Sequence, residues 1–369
     1  MKKVLFVIYT HSLGGGAERI LSNVLNGLAE KTNYEISVLE YAKYSVKEEV
    51  LNPKIKRLPP IVDMEHSSRI ERIAKFLLVH FCPLLLRKMY IKEKYDVEIS
   101  FNYQIPSFLT SPKKEVYNIQ WNHGDIYDLK ESAFKRFLQG RAYKKADRIV
   151  AISENTRNSI VELFPQHEKI LTVLYNGTDV DFIRKGAELP TDFKLKNNSL
   201  VFLGRLEHNK NPLRLIEYTE RLLKEGADVN LYLLGSGVQE KEVADYIKAA
   251  NLEDRIFLLG YIANPYPIIK QGRAICMLSE SEGFPTVFTE GMALGKPFIS
   301  TPVGGTRELG DGGNCGIVID SYEEFKEAVH KAVLDPESSK KMESACLEQI
   351  KLFSLEKQID RIIDLIEEK

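Results

Sequence analysis

Val4-Leu5-Phe6-Val7-Ile8-Tyr9-Thr10-His11-Ser12-Leu13-Gly14-Gly15-Gly16-Ala17-Glu18-Arg19, following Met1-Lys2-Lys3, is the stretch whose reading decides the fold. The apolar run has the length of one buried strand, and polar residues end it too early for a signal-peptide core, so a cytoplasmic chain is expected. Glycines follow at once, and then a helix-period stretch. Consecutive glycines let backbone N–H groups approach a ligand closely, and the next helix N-terminus favours negative charge, so Gly15 and Gly16 are candidate ligand contacts. A tight strand-to-helix turn is the structural alternative. A nicotinamide fingerprint is excluded, because its third glycine would fall at position 19, which is Arg19.

The same alternation recurs to the end of the chain and predicts βα units on parallel sheets rather than a sandwich or bundle. Strands are expected at 4–9, 35–41, 97–101, 116–120, 148–152 and 171–174, and a second series at 200–203, 230–234, 256–259, 274–278, 297–300 and 316–319. Helices are expected between them, at 212–224, 240–250 and 322–333 among others. Between the series, 175–198 is polar, holds Gly177, Gly186 and Pro190, and reads as a linker. At about 150 residues per domain, 369 residues make two. The expected division is 1–175, with 353–369 returning onto it, and 176–352. Two doubly wound α/β domains would turn their strand carboxyl ends toward one cleft, where ligands of open parallel sheets bind.

Apolar residues make up 44% and charged residues 28%, which excludes disorder, collagen and coiled coil. Lys and Arg total 51 against 52 Asp and Glu, a balance that argues against a nucleic-acid binder. Within that balance, residues 1–175 carry 27 basic and 20 acidic side chains, and the remainder 24 and 32. The front half is therefore suited to an anionic partner. Cys82, Cys276, Cys315 and Cys346 are scattered, with no disulfide framework and no zinc spacing.

Much of the basic excess lies in 69–94. Arg69, Arg72, Lys75, Arg87, Lys88, Lys92 and Lys94 flank the apolar run 76–86, which is too short to span a bilayer. A helix of this kind lies in the headgroup layer of an anionic membrane, which predicts a peripheral protein with these cations at the membrane or acceptor side. The structural alternative is a helix packed on the sheet with snorkelling Lys and Arg.

The second half carries the sharper chemistry. Strand 200–203 runs into Gly204-Arg205-Leu206-Glu207-His208-Asn209-Lys210-Asn211-Pro212, which sets Arg205 and Lys210 at a strand end before a Pro-started helix. A planar fork and a point charge together suit a diphosphate. Strand 274–278 runs into Ser279-Glu280-Ser281-Glu282-Gly283-Phe284-Pro285-Thr286-Val287-Phe288-Thr289-Glu290, with a helix expected from Pro285 to Gly295. The amides of Gly283, Phe284, Pro285's successor Thr286 and Val287 form a phosphate seat at that helix start. Glu282 and Glu290 beside it must then touch neutral parts of the ligand, such as sugar hydroxyls.

With Gly204-Arg205-Leu206 and Lys210, Glu282-x7-Glu290 around Gly283-Phe284-Pro285, Asn176-Gly177-Thr178-Asp179 and the Gly14 to Arg19 turn, the chain resembles the retaining glycosyltransferases of family four, of GT-B fold, over nearly its whole length. It looks closest to bacterial enzymes acting on polyprenyl-diphosphate-linked glycans in surface polysaccharide assembly. The resemblance implies that Arg205 and Lys210 hold the donor diphosphate, that Glu290 binds the ribose, and that Glu282 contacts the transferred sugar. His123, in Trp121-Asn122-His123-Gly124, matches the family's active-site histidine. Departures are Asn211 in place of a glycine after the lysine, and Glu280 as a competing acid. Asp179-Val180-Asp181 resembles the metal-binding motif of the other glycosyltransferase fold, but its place predicts a structural turn, and no essential metal or cofactor is expected.

The implied reaction moves a hexose or N-acetylhexosamine from a nucleotide sugar, UDP-linked on the resemblance, to a glycan or lipid-linked acceptor. Cations and amides would take up the charge of the leaving diphosphate. Glu282 is either a nucleophile, by analogy with retaining hydrolases, or a sugar-positioning group. Two other classes stand beside this one: a nucleotide-sugar 2-epimerase built from two such domains, and a non-catalytic sugar-nucleotide-binding subunit.

Overall fold

The computed structural model describes residues 1–46 and 50–368. Lys47, Glu48 and Glu49, inside the expected first domain, and Lys369, at the end of its expected return, lie outside the described residues. The chain divides into two compact units. One comprises Met1–Gly177 and the chain from Leu355 onward, the other Thr178–Ser354. Both boundaries lie two residues beyond the expected 175 and 353.

The first unit is built on β1 (Lys3–Ile8), β2 (Glu35–Glu40), β3 (Ala42–Lys43), β4 (Lys56–Arg57), β5 (Val62–Asp63), β6 (Val97–Ser100), β7 (Tyr117–Asn122), β8 (Arg148–Ala151) and β9 (Leu171–Val173). Seven of them form a parallel sheet in the order β4-β2-β1-β6-β7-β8-β9, and β3 and β5 pair separately. Val4, Leu5, Phe6 and Val7 of β1 are fully buried. A central strand covered by helices on both faces needs an unbroken apolar run rather than alternation, and β1 supplies one.

Helix Gly16–Lys31 presents Ile20, Leu21, Val24, Leu25 and Leu28 to the core at helical spacing. The last helix, Leu355–Glu367, packs on its other side. A Cβ on Gly27 would lie 2.0 Å from Ile359 Cδ1, and the Lys31 ammonium sits 2.7 Å from Asp360 Oδ1. Glycine at 27 is what allows the two helices to approach so closely.

The second unit contains β10 (Ser199–Leu203), β11 (Asn230–Leu234), β12 (Ile256–Gly260), β13 (Ala274–Met277), β14 (Phe298–Ser300) and β15 (Gly316–Val318). All are parallel, in the order β12-β11-β10-β13-β14-β15. This is the doubly wound order 3-2-1-4-5-6, with its switch point between β10 and β13.

Two expectations need correction. The polar stretch 175–198 contains a helix, Val180–Ala187, whose N-cap Asp179 accepts the Phe182 amide at 3.0 Å. Eight residues with Gly186 among them are too few to show a period. Asp179 is therefore a helix cap. The basic segment is two helices, Arg69–Phe81 and Pro83–Tyr90, because Pro83 lacks an N–H and disfavours helical backbone at Cys82. Among the described residues no helix is long and apolar enough to cross a membrane.

Candidate functional site

In the second unit the chain leaves β10 as Gly204-Arg205 and leaves β13 as Leu278-Ser279, so the two loops flank the switch point of the sheet. Gly204 and Leu206 anchor the first loop by donating their amides to Leu234 and Ser236 carbonyls at 3.0 Å each. A short turn, His208–Lys210, then ends at Asn211 in left-handed backbone, φ 52°, before helix Pro212–Lys224. Asparagine tolerates that conformation, and the family's usual glycine is not needed there.

The turn aims Lys210 across to the second loop. Its ammonium donates to Glu282 Oε1 at 2.5 Å, and Ser279 Oγ donates to the same oxygen at 2.8 Å. Both charged side chains are largely enclosed, 17% and 11% exposed. One of the two acids beside the expected phosphate seat is thus already neutralised by a cation, which removes most of its repulsion for an anion. The Glu280 amide donates to the Asn209 carbonyl at 2.8 Å and ties the loops together while its side chain is exposed. Of the two acids Glu280 and Glu282, Glu282 is the one that meets Lys210.

Arg205 is 72% exposed and its guanidinium bonds Glu207 at 2.6 Å, not Glu282. Helix Thr286–Ala293 starts one residue later than expected, with Pro285 as its N-cap. The side chains of Phe284 and Pro285 are buried, and the Phe284 ring lies 5.9 Å from that of Phe353, so Phe284 is a core residue that offers a ligand only its backbone. Thr286 and Val287 are half-buried at the helix start, and Glu290 is buried one turn on. The loop after β14 closes on this segment: a Cβ on Gly304, at φ 50°, would lie 2.3 Å from the Gly283 carbonyl.

In the first unit the glycine turn is occupied from within. Glu18, in the first turn of helix Gly16–Lys31, accepts the amides of Leu13 and Gly14 on Oε2 at 2.9 and 2.8 Å. The residues expected to contact a ligand were the next two, Gly15 and Gly16. Gly15 is the helix N-cap, and a Cβ on Gly16 would meet nothing within 4 Å, so packing does not demand glycine at 16.

His123 follows β7 directly. Its ring stacks 6.2 Å from Trp121 at 10° and lies 4.4 Å from Phe101, which follows β6. Nε2 is enclosed without a hydrogen-bond partner. Burial pushes the imidazole down to about 3, so the ring is neutral near pH 7. In the same unit, Asp128 accepts the Tyr103 hydroxyl at 2.9 Å and Gln104 Nε2 at 3.1 Å.

The basic segment divides by role. Arg87 is not a surface cation. It grips Glu98 of β6 with both terminal nitrogens at 2.8 and 2.6 Å, and Glu98 is fully buried. Lys75 pairs with Glu71, and Arg72 Nε donates to the Ser67 carbonyl at 3.0 Å. Arg69, Lys88 and Lys92 are exposed, beside exposed Ile70, Phe76, Leu77, Phe81 and Leu85.

Sequence reasoning missed Ser279, Glu18 and the Arg87–Glu98 pair. An acid inside the apolar run of a central strand was the available signal for the last of these. Among the described residues no group of three or more His, Cys, Asp or Glu is arranged to hold a metal ion.

Residues 14–182 match the family described as Glycosyltransferase Family 4, and residues 188–348 match Glycosyl transferases group 1. The chain is similar to the N-acetylgalactosamine-N,N'-diacetylbacillosaminyl-diphospho-undecaprenol 4-alpha-N-acetylgalactosaminyltransferase of Campylobacter jejuni, at 29% identity over 85% of each chain. A second Campylobacter jejuni protein, the GalNAc-alpha-(1->4)-GalNAc-alpha-(1->3)-diNAcBac-PP-undecaprenol alpha-1,4-N-acetyl-D-galactosaminyltransferase, is 24% identical over 88% of this chain and 86% of its own. Among solved structures, Anabaena HepE in complex with UDP superposes with a TM-score of 0.75 at 16% identity over 100% of both chains, a likeness of fold.

Proposed function

We propose that this chain, which belongs to the family 4 glycosyltransferases and has their GT-B fold, transfers a hexose or N-acetylhexosamine from a UDP-sugar, with retention, to a polyprenyl-diphosphate-linked glycan. One observation carries the reading. Lys210 and Glu282, distant in sequence, meet at the carboxyl ends of the two strands that flank the switch point, where doubly wound sheets bind nucleotides. The similarity to two undecaprenyl-diphosphate glycan transferases supports the acceptor class, and the UDP complex of HepE supports the base.

In the proposed step the bond from the sugar's anomeric carbon to the diphosphate oxygen breaks, and its electron pair stays on the diphosphate. The acceptor hydroxyl oxygen bonds the anomeric carbon on the same face and gives its proton to the departing phosphate oxygen. Lys210, Arg205 and the amides of Gly283, Thr286 and Val287 stabilise the charge, with no resident metal. Glu282, held by Lys210 and Ser279, positions the sugar hydroxyls, Glu290 binds the ribose, and neutral His123 contacts the transferred sugar. Gly15 and Gly16 leave room for the donor at the first unit's turn. Arg69, Lys88 and Lys92, with the apolar side chains around them, rest on the anionic inner face of the cell membrane and keep the enzyme near its lipid-linked substrate.

The test is a thermal-shift screen of nucleotide sugars followed by transfer assays on undecaprenyl-diphosphate glycans, with the product anomer read by NMR. One UDP-sugar should stabilise selectively and give an α-linked product. Epimerised nucleotide sugar formed without acceptor, or tight nucleotide binding with no turnover on any acceptor, would overturn the proposal.

A further inference from the structure

Helix Ala133–Tyr143 has two working faces. One reaches the strand ends: Gln139 Oε1 accepts the Gln104 amide at 2.7 Å, and the Tyr143 hydroxyl donates at 2.8 Å to Asn122, the residue before His123. The other face carries Leu138, Arg141 and Ala142, continued one turn on by Lys145, at the i, i+3, i+4, i+7 spacing of a single helical stripe. That stripe lines a cavity of about 210 Å³, walled opposite by Leu84 and Phe108.

The cavity opens within apolar surface. Phe81 and Phe137, next in sequence to the lining residues His80 and Leu138, are exposed, as is Phe134 one turn before Leu138, and the Phe81 and Phe134 rings lie 5.9 Å apart. Lys145 donates to the carbonyls of Ser107, Phe108 and Thr110, so its charge faces the cavity while its donors are taken up by backbone. Arg141 is exposed at the rim, its guanidinium 5.9 Å from the Phe137 ring centre. An apolar hole with cations at its edge complements an anionic amphiphile. A dry cavity of about 150 Å³ accepts a benzene ring, so this one has room for roughly one or two branched five-carbon units.

We propose that this cavity holds the isoprene units nearest the diphosphate of the lipid-linked acceptor, with Arg141 pairing the diphosphate. The inference rests on the lipid-linked acceptor proposed above. The occupant is the acceptor rather than a bulk lipid because the same helix, about 10 Å across, contacts the strand ends beside His123 with its opposite face. A ligand anchored on one side presents its head group toward the reacting edge on the other.

The experiment is calorimetric titration of the full chain with geranyl diphosphate, inorganic diphosphate and decyl phosphate. A buried methylene contributes about fourfold in affinity, so geranyl diphosphate should bind at least about tenfold tighter than either of the others. Leu138→Trp, which fills the cavity, should lose at least about tenfold of that affinity and raise KM for the lipid-linked acceptor. UDP affinity and kcat with a lipid-free glycan acceptor should not change. Leu84→Trp, at the half-exposed wall, repeats the test if Leu138→Trp does not fold, and Arg141→Ala should weaken both diphosphates. Equal binding of inorganic diphosphate or decyl phosphate, or unchanged geranyl affinity in the folded tryptophan variants, overturns the proposal. Geranyl diphosphate binding without transfer to any lipid-linked acceptor would instead overturn the proposed function and leave the cavity assignment standing.

Discussion

The Lys210 ammonium lies 2.5 Å from Glu282 Oε1 and joins the loops that leave β10 and β13. The pair is largely enclosed, so each partner sets the electrostatics of the other. Removing Lys210 leaves a carboxylate beside the proposed phosphate seat with Ser279 still bonded to it.

Lys210→Ala is therefore expected to lower kcat by about 100-fold or more, the usual cost of losing one donor to a developing oxyanion. Glu282→Gln should retain nucleotide affinity and lose turnover. In urea denaturation, Lys210→Met with Glu282→Gln should be less destabilised than the sum of the single changes, by about 1–3 kcal/mol. Additive effects would show that the pair is not coupled.

His123 supplies a pH dependence. Its imidazole is pushed down to about 3 by burial in the folded protein, against about 6.5 in the unfolded chain. Between those values the unfolded chain binds the extra proton, so this residue's contribution makes stability fall as pH drops from about 6.5 toward 3, by up to about 1.4 kcal/mol per unit. His123→Phe should flatten that slope relative to the parent. Identical slopes from urea midpoints at pH 7 and pH 4.5 would refute it.

Arg87 separates membrane binding from stability. Arg87→Ala strands a fully buried Glu98 and should cost about 3–5 kcal/mol of unfolding free energy. Lys88→Glu with Lys92→Glu changes exposed positions, so it should leave the melting curve within about 0.5 kcal/mol and detach the protein from anionic vesicles. Vesicle binding unchanged in the double variant would remove the membrane assignment.

Gly235 holds the Arg205 loop in place. A Cβ there would lie 1.8 Å from the Gly204 carbonyl oxygen, and φ is 148°. Gly235→Ala should destabilise the second unit by about 2 kcal/mol or more and weaken nucleotide binding. A variant with parental melting temperature and UDP affinity would contradict the close approach.

The central strands were legible as apolar runs buried on both faces, as in Val4 to Ile8 or Asn230–Leu234, while β9 and β12, only half-buried along most of their length, were legible from their place in the strand-and-helix alternation. β3, β4 and β5 were not, since two residues carry no period. Helix Pro212–Lys224 was readable to the residue from its proline start and its apolar stripe. Helix Val180–Ala187 hid in a polar stretch, because it is held by Arg184 Nε donating to the Ala293 carbonyl and by Gly186 packing on Tyr266, contacts made far along the chain. Lys210 and Glu282 could be nominated from their places after strands, and His123 from the family resemblance. That Glu282 is held by Lys210 and Ser279, while Arg205 turns to Glu207, could not.

Hydrophobic periodicity and turn chemistry act over a few residues, so the order of strands and helices, the two parallel sheets and the loops that bear chemistry were all written locally. Which charge meets which is a property of through-space distance. Glu18 on the amides of Leu13 and Gly14, Arg87 on Glu98, and Lys210 on Glu282 each satisfy a group that burial would otherwise leave costly. The Lys210–Glu282 partnership existed only once β10 and β13 had been brought side by side, and the Arg87–Glu98 pair only once helix Pro83–Tyr90 had packed against β6.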